Sequence, residues 1–485
     1  MVRTKKFISY TIALATSMGF MLDSQPSQAD VSKFEPPPVF HTYYVSAAAK
    51  AGGDGRSWKS AWKGLDKINW SVIEPGAVIS IDGGTRCMIY DKPLLIGTDG
   101  TQELPIVIRT GFAPGHNGQV IINGASSANN SIGIDIGGHK HIYIQGSALP
   151  QLGIAAKSIR VCNFRNCGIY SNRQSEDICL QNVEVDHNGT VQFVRADPPD
   201  QPALSPPDAI ADTATVPGRT GLFRLASGTG VSMQGNRGIC DRLVAHNNAA
   251  SNIFLNNSSN TTVSSCWLFN YPQELGVNNL FHPLNNLIRE QFKDDTADGI
   301  HIQGAYSLKG YNMQNCILGP NLHRGVRYYQ RTSALSMTNC LFIDPQSSNL
   351  LKENGGIDAQ LHLVPSRMEL NKVTSFMPPR NRFGQSHACL SFSEGRGDSV
   401  SSSVFWGGVV DVTGSSLLGK HNTQFKTSGN TMTLSAAQVN PKFRAILSQI
   451  NHFSDEISAD FKLRPDSPAV GTGSAITSVR QLLRY

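Results

Sequence analysis

Short runs of alternating apolar and polar residues recur along the chain. Each opens on a glycine or an asparagine and continues with a β-branched residue. They read Gly133-Ile134-Asp135-Ile136, Gly168-Ile169-Tyr170-Ser171, Gly230-Val231-Ser232-Met233, Asn252-Ile253-Phe254-Leu255, Gly299-Ile300-His301-Ile302, Gly325-Val326-Arg327-Tyr328 and Gly356-Ile357-Asp358-Ala359. A period of two is that of a strand with one buried and one wet face. A second pattern follows each run, at Asn182-Val183, Ser265-Cys266, Asn315-Cys316, Asn339-Cys340 and Asn371-Lys372-Val373. Two strands and their turns therefore recur about every two dozen residues, which predicts a solenoid of stacked parallel strands. A propeller blade needs about 40 residues and four strands, too long for this repeat, and the Leu/Asn consensus of leucine-rich repeats is absent.

The alternation sorts side chains by face. Ile253, Leu255, Ile300, Ile302 and Val326 are expected inside. The outward row then reads Asp135, Tyr170, Ser232, Phe254, His301, Arg327, Asp358. A second outward row reads Asn172, Gln234, Asn256, Gln303, Tyr329, Gln360. Amide, aromatic and charged groups in register at ~4.8 Å intervals suit an extended chain of sugars, which needs many hydrogen bonds and an apolar platform. Tyr170, Gln234, Phe254, Asn256, Gln303, Tyr329 and Asp358 are the candidate substrate-binding residues. The rival reading of the same rows is an ordinary polar solenoid face.

Composition narrows the picture. The 485 residues are 40% hydrophobic and only 16% charged, which excludes a mostly disordered chain. The bias toward Ala, Glu, Lys, Leu and Arg that marks helical and coiled-coil proteins is missing. A net charge of +6 without a basic stripe or reader motif excludes a dedicated nucleic-acid binder but suits an acidic partner such as a polyuronate. Arg3, Lys5 and Lys6, the apolar run 7–21 and the small residues ending at Ala29 have the three-part layout of a secretory signal over 1–29. That predicts a secreted or periplasmic protein with no membrane span after signal removal. Nine cysteines at irregular spacing give no zinc pattern. Cys162, Cys266, Cys316 and Cys340 are expected in one inward stack as small hydrophobes. No signature sets an oligomeric state.

Further features carry a family resemblance. Tyr43-Tyr44-Val45-Ser46 is followed by Gly53-Asp54-Gly55, Ser57-Trp58, an amphipathic stretch over 61–68 and Pro75-Gly76-Ala77-Val78-Ile79. Near the other end stands Phe461-Lys462-Leu463-Arg464-Pro465-Asp466-Ser467-Pro468-Ala469-Val470-Gly471. With the repeats between them, these resemble the N-terminal cap and closing coil of secreted right-handed parallel β-helix proteins, the group that contains pectate-lyase-like enzymes. The resemblance covers most of 40–475. It implies an all-β right-handed parallel β-helix with a short N-terminal cap containing a helix. The expected layout is cap and first coils over 30–130, β-helix over 131–475 and a C-terminal tail over 476–485. As to activity, the group holds lyases, hydrolases, epimerases and non-enzymatic surface proteins.

Two segments exceed the repeat: 187–229, rich in Pro, Ala and Asp, and 271–297, rich in Asn, Asp and Phe. Both end where an alternating run begins, so both are expected to leave the solenoid at one edge, a place where function concentrates. The second runs into Asp298-Gly299-Ile300-His301, and one coil later comes His323-Arg324-Gly325-Val326-Arg327. In a lyase acting on uronates, His301 would be the base while Arg327 or Arg324 neutralises the carboxylate. In a hydrolase, Asp298, Asp295 and Asp358 would supply the two carboxylates. As the rival reading, Asp298-Gly299 is a turn and the charges form a solvated ladder. Asp294, Asp295 and Asp298 have the oxygens to bind Ca²⁺, but no calcium-loop motif accompanies them, and the expectation is no cofactor. Asn188-Gly189-Thr190 and Asn260-Thr261-Thr262 match glycosylation acceptors. The sequence thus predicts a polysaccharide-binding solenoid that cleaves an acidic chain by β-elimination, with a non-catalytic adhesin and a glycoside hydrolase as alternatives.

Overall fold

The computed structural model describes residues 41–126, 130–195, 222–270, 298–303, 310–319, 325–328, 334–343, 361–363, 367–376, 388–393, 399–406, 409–413, 418–420, 423–424, 443–445, 460–463, 474–476 and 478–482. The leader 1–29 lies outside them, as does all of 271–297. Almost every described element is a short strand. The strands stack parallel into a 22-stranded and an 11-stranded sheet. The chain is a right-handed parallel β-helix.

Each coil carries three strands. One well-described coil runs Ser251–Ser259, Thr261–Ser264 and Trp267–Phe269, and the next begins at Asp298–Gln303. The first two positions of successive coils build the larger sheet and the third builds the smaller one. Thus Ser251–Ser259 pairs with Thr229–Asn236 before it and Asp298–Gln303 after it. Inward side chains form the core: Ile253, Leu255, Ile300, Ile302 and Val326 are all buried, as the alternation predicts. Tyr328 completes the inward side of its strand and meets Tyr311 edge-on at 5.9 Å.

The turn between second and third strands explains the second sequence pattern. Asn182, Arg242, Ser265, Asn315, Asn339, Lys372 and Ser402 all adopt φ between 49° and 56°. This left-handed conformation costs most residues energy and is eased by short polar side chains that bond locally. Asn339 donates from Nδ2 to Asn315 Oδ1 at 2.6 Å. The following residues turn inward, so Cys266, Cys316 and Cys340 stack with Val183 before them and Val373 after them, all buried. Cys162 departs from that expectation. It ends its strand in register with Asn123 and Asp186, at the other corner of the coil. Its thiol is buried there and pushed up to about 12 by desolvation.

That other corner holds an asparagine ladder. Phe164 donates its N–H to Asn188 Oδ1 at 3.0 Å, and the Asn188 N–H reaches Asn248 Oδ1 at 3.1 Å. Asn248 Nδ2 goes on to Asn252 Oδ1 at 2.8 Å. Asn188 is fully buried, so the folded chain cannot present it as a glycosylation acceptor.

Three expectations are corrected. The cap has no α-helix over 61–68, only 3₁₀ turns at Leu65–Lys67 and Trp70–Val72. The amphipathic pattern there is met by single anchors: Leu65 and Ile68 are buried under the first coil. The strand expected at 356–359 is instead Leu361–Leu363, because that is where the chain comes into register with Val326–Tyr328. Asp460–Leu463 pairs antiparallel with Phe443–Ala445, so it is not a parallel closing coil. Farther along the chain, the Ser474 N–H donates to Thr374 Oγ1 at 2.8 Å and Ser474 Oγ reaches Asn339 Oδ1 at 3.0 Å.

Candidate functional site

The first strand position of each coil carries the predicted outward row. In register order it reads Asp135, Tyr170, Ser232, Phe254, His301, Arg327. The next position is His362, in place of Asp358. Reading the coil from Gly356 misplaced it, since a turn glycine and an alternating triplet do not by themselves mark a strand. Asp358, Tyr329, Arg324 and Asp295 lie outside the described residues.

His301 and Arg327 are direct register partners, about one 4.8 Å strand spacing apart. Their strands alternate, with Ile300, Ile302, Val326 and Tyr328 buried and His301 and Arg327 partly exposed between them. On its other side, His301 meets the Phe254 ring at 5.0 Å between centroids, tilted by 42°. Asp298 opens the His301 strand. Its carboxylate is 4% exposed and lies 3.7 Å from Arg327 Nη1, whose side chain is 23% exposed. The arginine therefore has a buried carboxylate behind it and solvent in front.

The second outward row is partly assembled. Asn256 and Gln303 are register partners, and Gln303 is exposed. Gln234 lies beside a register irregularity after Met233, so its strand does not continue the row evenly. Asn172 accepts from the Gln174 N–H at 2.8 Å and serves a turn. Tyr170 is partly exposed two strands before Phe254, with buried Ser232 between them in register.

Both long segments leave from one edge. The first lies between the third strand Val183–Asp186 and the first strand Thr229–Asn236, and its ends pair as an antiparallel ribbon, Thr190–Arg195 with Leu222–Ser227. The second lies between Trp267–Phe269 and Asp298–Gln303. This edge is where the strands bearing Phe254, His301 and Arg327 begin.

Among the described residues, Asp186, His187 and His246 form the grouping with metal-ligating atoms close together. Its carboxylate is already engaged. Arg160 donates Nε and Nη2 to the two Asp186 oxygens at 2.7 and 2.6 Å, and His187 Nδ1 lies 2.6 Å from Oδ2. Burial would raise the Asp186 pKa, but these hydrogen bonds outweigh it and hold the carboxyl well below its usual range. His246 stacks on Phe269 at 4.8 Å. This is a buried ion-pair network of the third strands.

No family model and no curated protein matches the chain. Solved structures do. The chain is similar to a structure titled pectate lyase Pel9A, at 12% identity and TM-score 0.46, over 90% of this chain and 93% of that one. It is similar to a rhamnogalacturonan lyase at 9% identity and TM-score 0.45, over 92% and 98%. An alginate lyase from Paenibacillus sp. str. FPU-7 matches at 9% identity and TM-score 0.29, over 80% and 99%.

Proposed function

We propose that this protein is an exported β-helix enzyme that binds an acidic polysaccharide along its first-strand face and cleaves it by β-elimination. The observation that carries the reading is the register pairing of His301 with Arg327, with Phe254 beside the imidazole and Asp298 behind the guanidinium. Elimination from a uronate needs a base at the carbon next to the carboxylate and a cation to take up the charge that grows on that carboxylate. His301 removes the proton. The electron pair forms the new double bond, and the glycosidic oxygen on the adjacent carbon leaves and takes a proton from water. Arg327 holds the carboxylate through two parallel N–H donors. Asp298 is a positioning residue, fixing the guanidinium without reaching the sugar. Phe254 offers the ring face on which a neighbouring sugar rests.

A hydrolase would need a second carboxylate across the bond. The register neighbours of His301 and Arg327 are Phe254 and His362, neither of which is one. Incubation with polygalacturonate or alginate decides the matter. Ultraviolet absorbance of an unsaturated product supports elimination. New reducing ends without that absorbance would mean hydrolysis, and binding without either would mean a carbohydrate-binding solenoid.

A further inference from the structure

The first coils carry a second patch of aromatic and polar groups. In the second strands, Tyr44, Ser80, Arg109 and Gln145 follow one another in register. Just beyond Arg109 the chain turns and exposes Phe112, 68% accessible. The Arg109 guanidinium carbon lies 4.4 Å from the centroid of that ring. Arg109 makes no side-chain hydrogen bond or ion pair among the described residues, and its Nε is buried without a partner. Arg237, by contrast, spends its donors on Asp177 and Glu176.

The patch is built in advance. Trp58 stacks on His116 at 4.0 Å with ring planes 8° apart and meets Tyr44 edge-on at 4.6 Å. His116 Nδ1 in turn lies 3.0 Å from Asp82 Oδ1. Gly111 lets the indole lie against the backbone, because a Cβ there would be 2.7 Å from a Trp58 ring carbon. An arginine with unspent donors under an exposed aromatic ring, beside a phenol and an amide, matches a sugar that carries a carboxylate. The guanidinium takes the carboxylate in a bidentate pair, the apolar ring face lies on Phe112, and Tyr44 and Gln145 meet hydroxyls.

We propose that Arg109 and Phe112 form a second subsite for a uronate residue of the acidic polysaccharide, at the second strand position five coils before His301, about 24 Å along the solenoid axis at one strand spacing per coil. The inference rests on the acidic-polysaccharide reading but not on cleavage. The test is electrophoresis of the full-length protein through native gels cast with polygalacturonate, alginate or neutral galactan. Wild type is expected to be retarded in at least one acidic gel and not in galactan. Arg109→Gln and Phe112→Ala should each weaken that retardation at least fivefold, with unchanged melting temperatures, while Lys67→Gln, at an exposed cation outside the patch, remains retarded. Should Arg109→Gln fail to fold, Phe112→Ala decides alone, since its ring is largely outside the core. Wild-type retardation in both variants, or none by wild type in either acidic gel, overturns the subsite. Retardation lost with Phe112→Ala but kept with Arg109→Gln overturns the carboxylate assignment. Ultraviolet product is scored separately, so absence of turnover with these binding losses intact removes the elimination reading and leaves the subsite standing.

Discussion

His301 and Arg327 are register partners on adjacent parallel strands, and both side chains leave the face opposite Ile300 and Val326. The backbone pairing of their strands thereby sets an imidazole and a guanidinium about one strand spacing apart. If the guanidinium takes up carboxylate charge in the transition state, Arg327→Ala should lower turnover by about 10²- to 10³-fold, the cost of losing one preorganised donor. Its melting temperature should fall only modestly, because the side chain sits outside the core and the cost is confined to buried Asp298 losing its cation. Arg327→Lys should restore little, since an ammonium is a point charge without the planar fork. Turnover of Arg327→Ala equal to wild type, read by product absorbance, would remove Arg327 from the site.

Ile300 is fully buried directly behind His301. Ile300→Asp places a carboxylate in a coil interior with no partner, and the expected loss is about 4 kcal/mol or more. Ile300→Val removes one methylene and should cost only about 1 kcal/mol. Thermal or denaturant unfolding separates the two. Normal unfolding of the aspartate variant would contradict the inward assignment.

The asparagine ladder gives a third expectation. Asn248 accepts from the Asn188 N–H and donates to both Val185 O and Asn252 Oδ1. Asn248→Ala leaves these buried groups without a partner, at about 1–3 kcal/mol for each orphaned group. Asn260→Ala, at a partly exposed turn, loses a single bond to Asn236 Oδ1 and the ease of a left-handed φ of 50°, and should cost less. Equal melting temperatures for the two variants would show that the ladder contributes nothing.

Acid sensitivity should trace to Asp186. Its folded carboxyl is held below the ordinary 3.8 by Arg160 and His187, with Glu184 and His246 facing the same cluster. A depressed carboxylate contributes stability that is fully present above the unfolded pKa and is lost as pH falls below it toward the folded value. Wild type should therefore lose this contribution only in strong acid, below about pH 4. Arg160→Gln removes the largest opposing partner of burial. The loss should then begin at higher pH, measured as the midpoint of acid unfolding by tryptophan fluorescence. An unshifted midpoint would detach the pair from acid stability.

Thiol labelling reads the core directly. Cys87 is exposed, whereas Cys162, Cys167 and Cys240 are buried, with thiols pushed up to about 12 by desolvation. Since the thiolate is the reactive form, Cys87 should be the first of the described cysteines to be labelled in the native protein, read by peptide mapping, and that labelling is lost in Cys87→Ser. Fast labelling of Cys162 found by peptide mapping would mean that its corner is open.

Much of this architecture was written in local pattern. Alternation from Ile134 to Val326 declared which side chains face inward, because a strand has a fixed period of two. The Asn-Cys pairs at 315–316 and 339–340 declared the turns, because left-handed backbone selects short polar residues and the next position must be small and apolar. The pairing of His301 with Arg327 followed from those two periodicities, as it depends only on one coil matching the next.

What local pattern missed depends on where distant segments come to rest. His362 takes the position assigned to Asp358 because backbone pairing with Val326–Tyr328 sets the register, and the long connection before it hides how far the chain advances. The cap forms 3₁₀ turns because Leu65 and Ile68 need only two anchors, not a helical face. Phe461 lies in an antiparallel pair because a strand accepts whichever edge is presented to it. The patch of Tyr44, Trp58, Arg109, Phe112 and His116 draws on residues more than seventy positions apart in the chain. The sequence alone determined the coil, its inward face and its polar row, since these arise from interactions within one or two repeats. Only the tertiary structure decided which arginines keep free donors and which carboxylates are spent, since that depends on contacts between coils that no local period encodes.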